Sequence, residues 1–139
     1  MKNRVRAVII KDNKILLIKR TRPNLSYWVI PGGGVEEKES NEEALARECL
    51  EELGVEVKVK ELLFDCLSEK AETFNQREYF YLVDILSGVI GSGQGAEFTN
   101  NHRGFGGYDI EWQDLNSLSK LDLKPLSIKN LIIEKYCNN

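Results

Sequence analysis

Histidine occurs once in these 139 residues, at His102, and cysteine three times, at Cys49, Cys66 and Cys137, widely spaced and without a Cys-x-x-Cys. That scarcity argues against a zinc cluster and against a disulfide framework, and free thiols fit a reducing cytoplasm. No stretch reaches the roughly eighteen apolar residues that mark a membrane-spanning helix. Met1-Lys2-Asn3-Arg4 runs at once into a strand-like segment and lacks the apolar core of a secretory leader. Nor is positive charge in surplus: 19 Lys and Arg stand against 22 Asp and Glu, a net −3. A general nucleic-acid binder is therefore not expected. With 42% hydrophobic and 29% charged residues, the composition supports a packed core and not a disordered chain. The expectation is one small, soluble, acidic, cytoplasmic domain over 1–139.

Val5 to Ile10 is β-rich and stops at Asp12-Asn13, a turn signal, and Lys14 to Ile18 follows, so the two predict a hairpin. Tyr27 to Pro31 is a short apolar run that ends on Gly32-Gly33-Gly34, which reads as a glycine turn. Ser40 to Leu53 is the clearest helix: Ser40 and Glu43 form a capping box, and Gly54 stands where a C-terminal cap belongs. Val55 to Ser68, Glu78 to Gly88 and Tyr108 to Leu115 read as strands. Pro125 opens a last amphipathic helix through about Cys137. The Gly- and Asn-rich stretch between Gly88 and Gly107 reads as a loop. Strands and helices mix without regular βαβ alternation, which predicts an α+β, mixed-sheet layered domain.

The central helix carries the chemistry. At about 100° per residue, with Glu48 at zero, Glu52 falls near ~40° and Glu51 near ~−60°, so three carboxylates share a face. Ala44 lies beside them. Arg47 flanks them, within (i, i+4) reach of Glu51. Ala46, Cys49, Leu50 and Leu53 fall on the opposite side, the expected buried stripe. A solvated acidic face is the plain reading of such a cluster. Three features oppose it: the acids sit in the helix's negative C-terminal half, bare glycine backbone precedes the helix, and Glu36 to Glu56 holds nine glutamates against only Lys38 and Arg47. Hard oxygen donors at this density suit Mg²⁺ or Mn²⁺.

Gly33, five residues, Glu39, seven residues, then Arg47-Glu48-Cys49-Leu50-Glu51-Glu52-Leu53-Gly54-Val55 resembles the signature of the Nudix hydrolases, Gly-x5-Glu-x7-Arg-Glu-U-x-Glu-Glu-x-Gly-U with U bulky and apolar. Every fixed residue is in place, and only the first U departs, being Cys49, a small buried hydrophobe in character. The entry Trp28-Val29-Ile30-Pro31-Gly32-Gly33-Gly34 and the strand Tyr108 to Leu115 are also similar to the family's. The resemblance implies an α/β/α sandwich with a mixed sheet. It also implies hydrolysis of a nucleoside diphosphate linked to another moiety, as in a (deoxy)nucleoside triphosphate, ADP-ribose or a nucleotide sugar. It further implies Mg²⁺ or Mn²⁺ held by Glu48, Glu51, Glu52 and the Gly32 carbonyl, with Arg47 orienting the acids and Glu39 in support.

A proton acceptor beyond the signature has two candidates, Glu111 before Trp112 and Glu97 in the glycine-rich loop, and Glu111 is preferred. The catalytic set is then Glu48, Glu52, Arg47 and Glu111. Substrate contacts fall to Trp28 as a stacking platform, Arg20 as a phosphate or ribose ligand, and the Gly33 and Gly34 backbone. Each has a plainer alternative: core packing for Trp28, a solvated charge for Arg20. His102 reads as incidental. The competing function is a nucleotide-binding or regulatory module that does not cleave, disfavoured because none of the three helix acids is lost. The partner expected is a small-molecule nucleotide, with no nucleic acid and no membrane. A homodimer is left open.

Overall fold

A computed structural model describes residues 3–68, 75–91 and 107–137. The chain forms β1 (Asn3–Lys11), β2 (Lys14–Arg22), β3 (Leu25–Val29), β4 (Gly32–Gly34), α1 (Asn41–Leu53), β5 (Val55–Leu67), β6 (Arg77–Gly88), β7 (Gly107–Asp114), a 3-10 helix (Leu115–Lys120), β8 (Leu123–Lys124) and α2 (Leu126–Tyr136). The strands make one mixed sheet in the order β5-β6-β1-β2-β3-β8, with β4 paired to β1 and β7 to β2. The β1–β6 and β3–β8 pairs are parallel and the others antiparallel.

Alternation in the strands explains the layering, because successive side chains point to opposite faces. Val5, Ala7 and Ile9 of β1 join Leu16, Tyr81 and Val83 beneath Ala44, Leu45, Cys49 and Leu53 of α1. On the other face Val8, Ile15, Leu17 and Phe80 pack with Ile128 and Ile132 of α2. A helix on each side of a mixed sheet is the α+β, α/β/α arrangement expected. The predicted hairpin is present, its turn residues Asp12 and Asn13 having φ of 53° and 63°, the left-handed pair of a tight hairpin turn.

Several local expectations are corrected. The three glycines are not a free turn but a strand, with Gly32, Gly33 and Gly34 paired to Arg6, Val5 and Arg4. Pro125 is the N-cap of α2 and not its first helical residue. Leu50 is exposed, as is Ala46, whereas Leu45 is fully buried. Leu45 lies near ~60° on the helix wheel, beside Glu52. The face of α1 on the sheet is therefore centred next to Glu48 and Glu52, not opposite them.

Candidate active site

The capping box sets where α1 begins: Ser40 Oγ accepts from the Glu43 N–H at 3.0 Å and Glu43 Oε1 from the Ser40 N–H at 2.9 Å. Gly54, at φ 81°, ends the helix in the left-handed conformation. One and a half turns at the C-terminal end then lie along the glycine strand. Glu52 Oε1 accepts from the Gly32 N–H at 2.8 Å, and the Glu52 side chain is buried. Glu48 sits directly over Gly33, where an added Cβ would stand 2.6 Å from Glu48 Oε1. The absence of a side chain at Gly33 thus makes room for this carboxylate.

Arg47 binds the rest together. Its Nε and Nη2 hold Glu39 in a two-pronged contact of 2.7 and 3.0 Å, Nη1 reaches Glu48 at 3.2 Å and Glu51 at 3.3 Å, and Nη2 also donates to the Gly34 carbonyl at 3.0 Å. Hydrogen bonds from Arg47 and the Glu36 amide hold the Glu39 carboxyl down to about 2. The same partner, helped by Glu48, raises the Arg47 guanidinium above its ordinary value. Burial, then Glu52 and Glu48, pushes the Cys49 thiol up to about 12, so Cys49 packs as an apolar residue and is no nucleophile.

The repulsion among the helix acids is relieved in part by Arg47. Among the described residues no three acidic, histidine or cysteine side chains are drawn together as a finished metal cage. The donor set nonetheless fits Mg²⁺ or Mn²⁺. It consists of carboxylate oxygens beside side-chain-free backbone, two of the carboxylates on one guanidinium that they could exchange for a cation, and Mg²⁺ is ordinarily bound by one or two carboxylates plus water and substrate phosphate.

The NUDIX domain pattern matches residues 1–132. The chain belongs to the Nudix family. It is 37% identical over 119 residues to an ADP-ribose pyrophosphatase of Methanocaldococcus jannaschii, covering 84% of this chain and 64% of that protein. It is 46% identical over 59 residues to the CTP pyrophosphohydrolase of Escherichia coli, covering 41% and 44%. The matches therefore span less than two thirds of the length of these curated relatives. In fold it is similar to a NUDIX hydrolase from Nitrosomonas europaea, with a TM-score of 0.73 at 22% identity over 98% of this chain and 88% of that one.

Within this Nudix domain the remaining candidates separate. Glu39, Arg47, Glu48, Glu51, Glu52 and the three glycines are brought together as expected. Glu111 is not. It pairs with Leu17, which packs on the α2 side, while its neighbours Ile110 and Trp112 pack on the α1 side; its carboxylate therefore lies across the sheet from the helix acids and accepts from Gln113 Nε2 at 3.0 Å. Trp28 is a core residue of the α2 side, only 8% exposed, and offers no free face for stacking. Arg20 is half-buried on β2, paired in register with Tyr27 and Tyr108. Glu97 and His102 lie outside the described residues.

Three further polar residues belong to this region without being singled out by any motif. Arg4 and Arg6 of β1 and Glu78 of β6 point to the α2 side, where Arg6, Ile30, Glu78, Phe80 and Pro125 line a cavity of about 190 Å³. Burial and Arg6 lower the Arg4 guanidinium, against the opposing pull of Glu78, Glu48 and Glu52. The signal was in the sequence: charges at alternate positions of apolar strands, where a sheet face is otherwise closed to them.

Proposed function

We propose that this Nudix domain hydrolyses a phosphoric-anhydride bond in a nucleoside diphosphate linked to a further group. In this reading Glu48, Glu51, Glu52 and the Gly32 carbonyl hold Mg²⁺ or Mn²⁺. The observation that carries the reading is the placement of Glu48 and Glu52 on side-chain-free backbone while Arg47 gathers Glu39, Glu48 and Glu51. The two relatives named as pyrophosphatase and pyrophosphohydrolase cleave that kind of bond, which supports it. A bound divalent cation would supply neutralisation of phosphate charge and a water of lowered pKa.

The chain's own residues do the rest. Arg47, fixed by Glu39 and the Gly34 carbonyl, sets the directions of Glu48 and Glu51. The glycine strand lets phosphate oxygens come close to the acids without steric cost. With Glu111 across the sheet, the proton acceptors at hand among the described residues are Glu48 and Glu52; of these Glu48, over Gly33, is the one we assign to receive the proton of the attacking water. Such a group contributes roughly 10²- to 10⁴-fold. The nucleoside end lies toward the cavity at Ile30 and Arg6, two residues along from Gly32 and paired with it. We place the protein in the cytoplasm.

The test is a product assay. Purified protein is incubated with nucleoside triphosphates, ADP-ribose and nucleotide sugars, with Mg²⁺ or Mn²⁺, and products are separated by chromatography. Release of a nucleoside monophosphate from at least one of them is expected, and loss of release on chelation. No product from any substrate with either metal contradicts the proposal.

A further inference from the structure

Arg6 and Glu78 are 7% and 5% exposed, on the cavity wall. Arg6 Nη1 donates to the Ile30 carbonyl at 3.1 Å. Its Nη2 stands 3.7 Å from Glu78 Oε2, and Arg4 Nε, buried without a hydrogen-bond partner, stands 3.6 Å from the same oxygen. These are ion contacts and not hydrogen bonds. Buried charges normally complete their hydrogen bonds, and a buried ion pair seldom stabilises a fold better than apolar residues of the same size. Unused capacity on Glu78 and on Arg6 thus faces a cavity whose other walls include Phe80 and Pro125. Arg6 pairs with Gly32, whose N–H meets Glu52. The cavity thus adjoins the strand whose backbone the helix acids meet.

Resting on the proposed nucleotide hydrolysis, we infer that Arg6 and Glu78 select a base carrying both an amino and an oxo group, cytosine or guanine. A carboxylate only accepts and a guanidinium only donates. Guanine offers two donors, N1–H and the amino group, to a carboxylate, and O6 to a guanidinium. Cytosine offers its amino group to the carboxylate and N3 and O2 to the guanidinium. The same two side chains read these bases in nucleic-acid grooves, arginine on guanine O6 and glutamate on the cytosine amino group. Adenine offers its amino group to the carboxylate but, lacking the oxo group, gives the guanidinium only ring nitrogens. Uracil and thymine lack the amino group and offer the carboxylate one ring N–H flanked by carbonyl oxygens that repel it.

The test compares kcat/KM for CTP, GTP, ATP, UTP and ADP-ribose in the wild type, in Glu78→Gln and in Arg6→Lys. It also measures the thermal shift given to the wild type by CMP, GMP, AMP and UMP without metal. The wild type should favour CTP or GTP over ATP and UTP by roughly 10-fold or more, the scale of one well-formed base contact, and the CTP and GTP arms identify which. Glu78→Gln, which can also donate, should narrow that preference toward UTP, and Arg6→Lys, which keeps the charge but loses the fork, should narrow it as well. If Glu78→Gln fails to fold, the Arg6→Lys and monophosphate arms still decide. Equal use of all bases, a preference for ATP, UTP or ADP-ribose, or a preference unchanged in the variants overturns the inference and leaves the hydrolase reading intact. Should nothing be hydrolysed, that reading fails, and the base preference of monophosphate binding judges Arg6 and Glu78 by itself.

Discussion

The backbone N–H of Gly32 donates to Glu52 Oε1 at 2.8 Å, fastening the last turn of α1 to the strand that precedes it. The contact explains how a carboxylate tolerates burial here, since a buried charge needs a hydrogen-bond partner. It also separates two neighbouring glycines by what lies above each. Over Gly32 is backbone, with the Arg6 Cα 2.8 Å from an added Cβ; over Gly33 the nearest atoms are the movable end of Glu48.

Gly32→Ala should accordingly destabilise the fold by roughly 1–3 kcal/mol or more, because backbone cannot step aside. Gly33→Ala should unfold near the wild-type midpoint yet lose about 10²-fold in turnover, through displacement of Glu48. Thermal unfolding and steady-state rates on both variants check this. Equal unfolding penalties would contradict it.

Glu52→Gln keeps an oxygen for the Gly32 N–H and removes the charge. It should fold, and turnover should fall by about 10²-fold or more, the scale of a principal catalytic group. A folded variant with wild-type turnover would remove Glu52 from the site.

Glu39 and Arg47 give a pH signature. The Glu39 carboxyl is lowered on folding from 4.5 to about 2, so its contribution is present above pH 4.5 and fades as pH falls through about 2. The gap in unfolding midpoint between wild type and Glu39→Gln should be constant above pH 5 and close between about pH 4.5 and 2. A gap that widens on acidification would contradict the assignment.

Glu111→Gln should leave turnover unchanged, since its carboxylate lies across the sheet from Glu48 and Glu52. Its place before Trp112 favours Glu111 as the base, whereas strand alternation turns its carboxylate to the far face. A fall of 10-fold or more in turnover would restore Glu111 to the site.

Spacing made the helix and its signature legible, because caps and carboxylates within one helix obey a fixed geometry. Ser40, Glu43 and Gly54 stand where that geometry puts them, and Arg47 reaches Glu51 one turn on. The orientation of α1 was less legible. The wheel puts Ala46 and Leu50 opposite the acids, and only packing of Leu45 against Val5, Ala7 and Leu16 shows which side meets the sheet. Pairing across long sequence separations was not legible at all. Nothing local brings Arg6 of β1 beside Glu78 of β6, or makes Gly32 to Gly34 a strand instead of a turn, since both follow from their partner in β1.

Cation binding by the helix acids is best measured by calorimetric titration of Mn²⁺ into the chelator-treated protein, wild type and Glu52→Gln, with and without a nucleoside monophosphate. The wild type should bind Mn²⁺, more tightly with nucleotide present to complete the ion's shell, and Glu52→Gln should lose at least 10-fold in affinity, the lower end of what disturbing a metal site costs. Wild-type protein that takes up no Mn²⁺ in either condition, or Glu52→Gln that binds it equally well, would contradict a metal site on this face of α1.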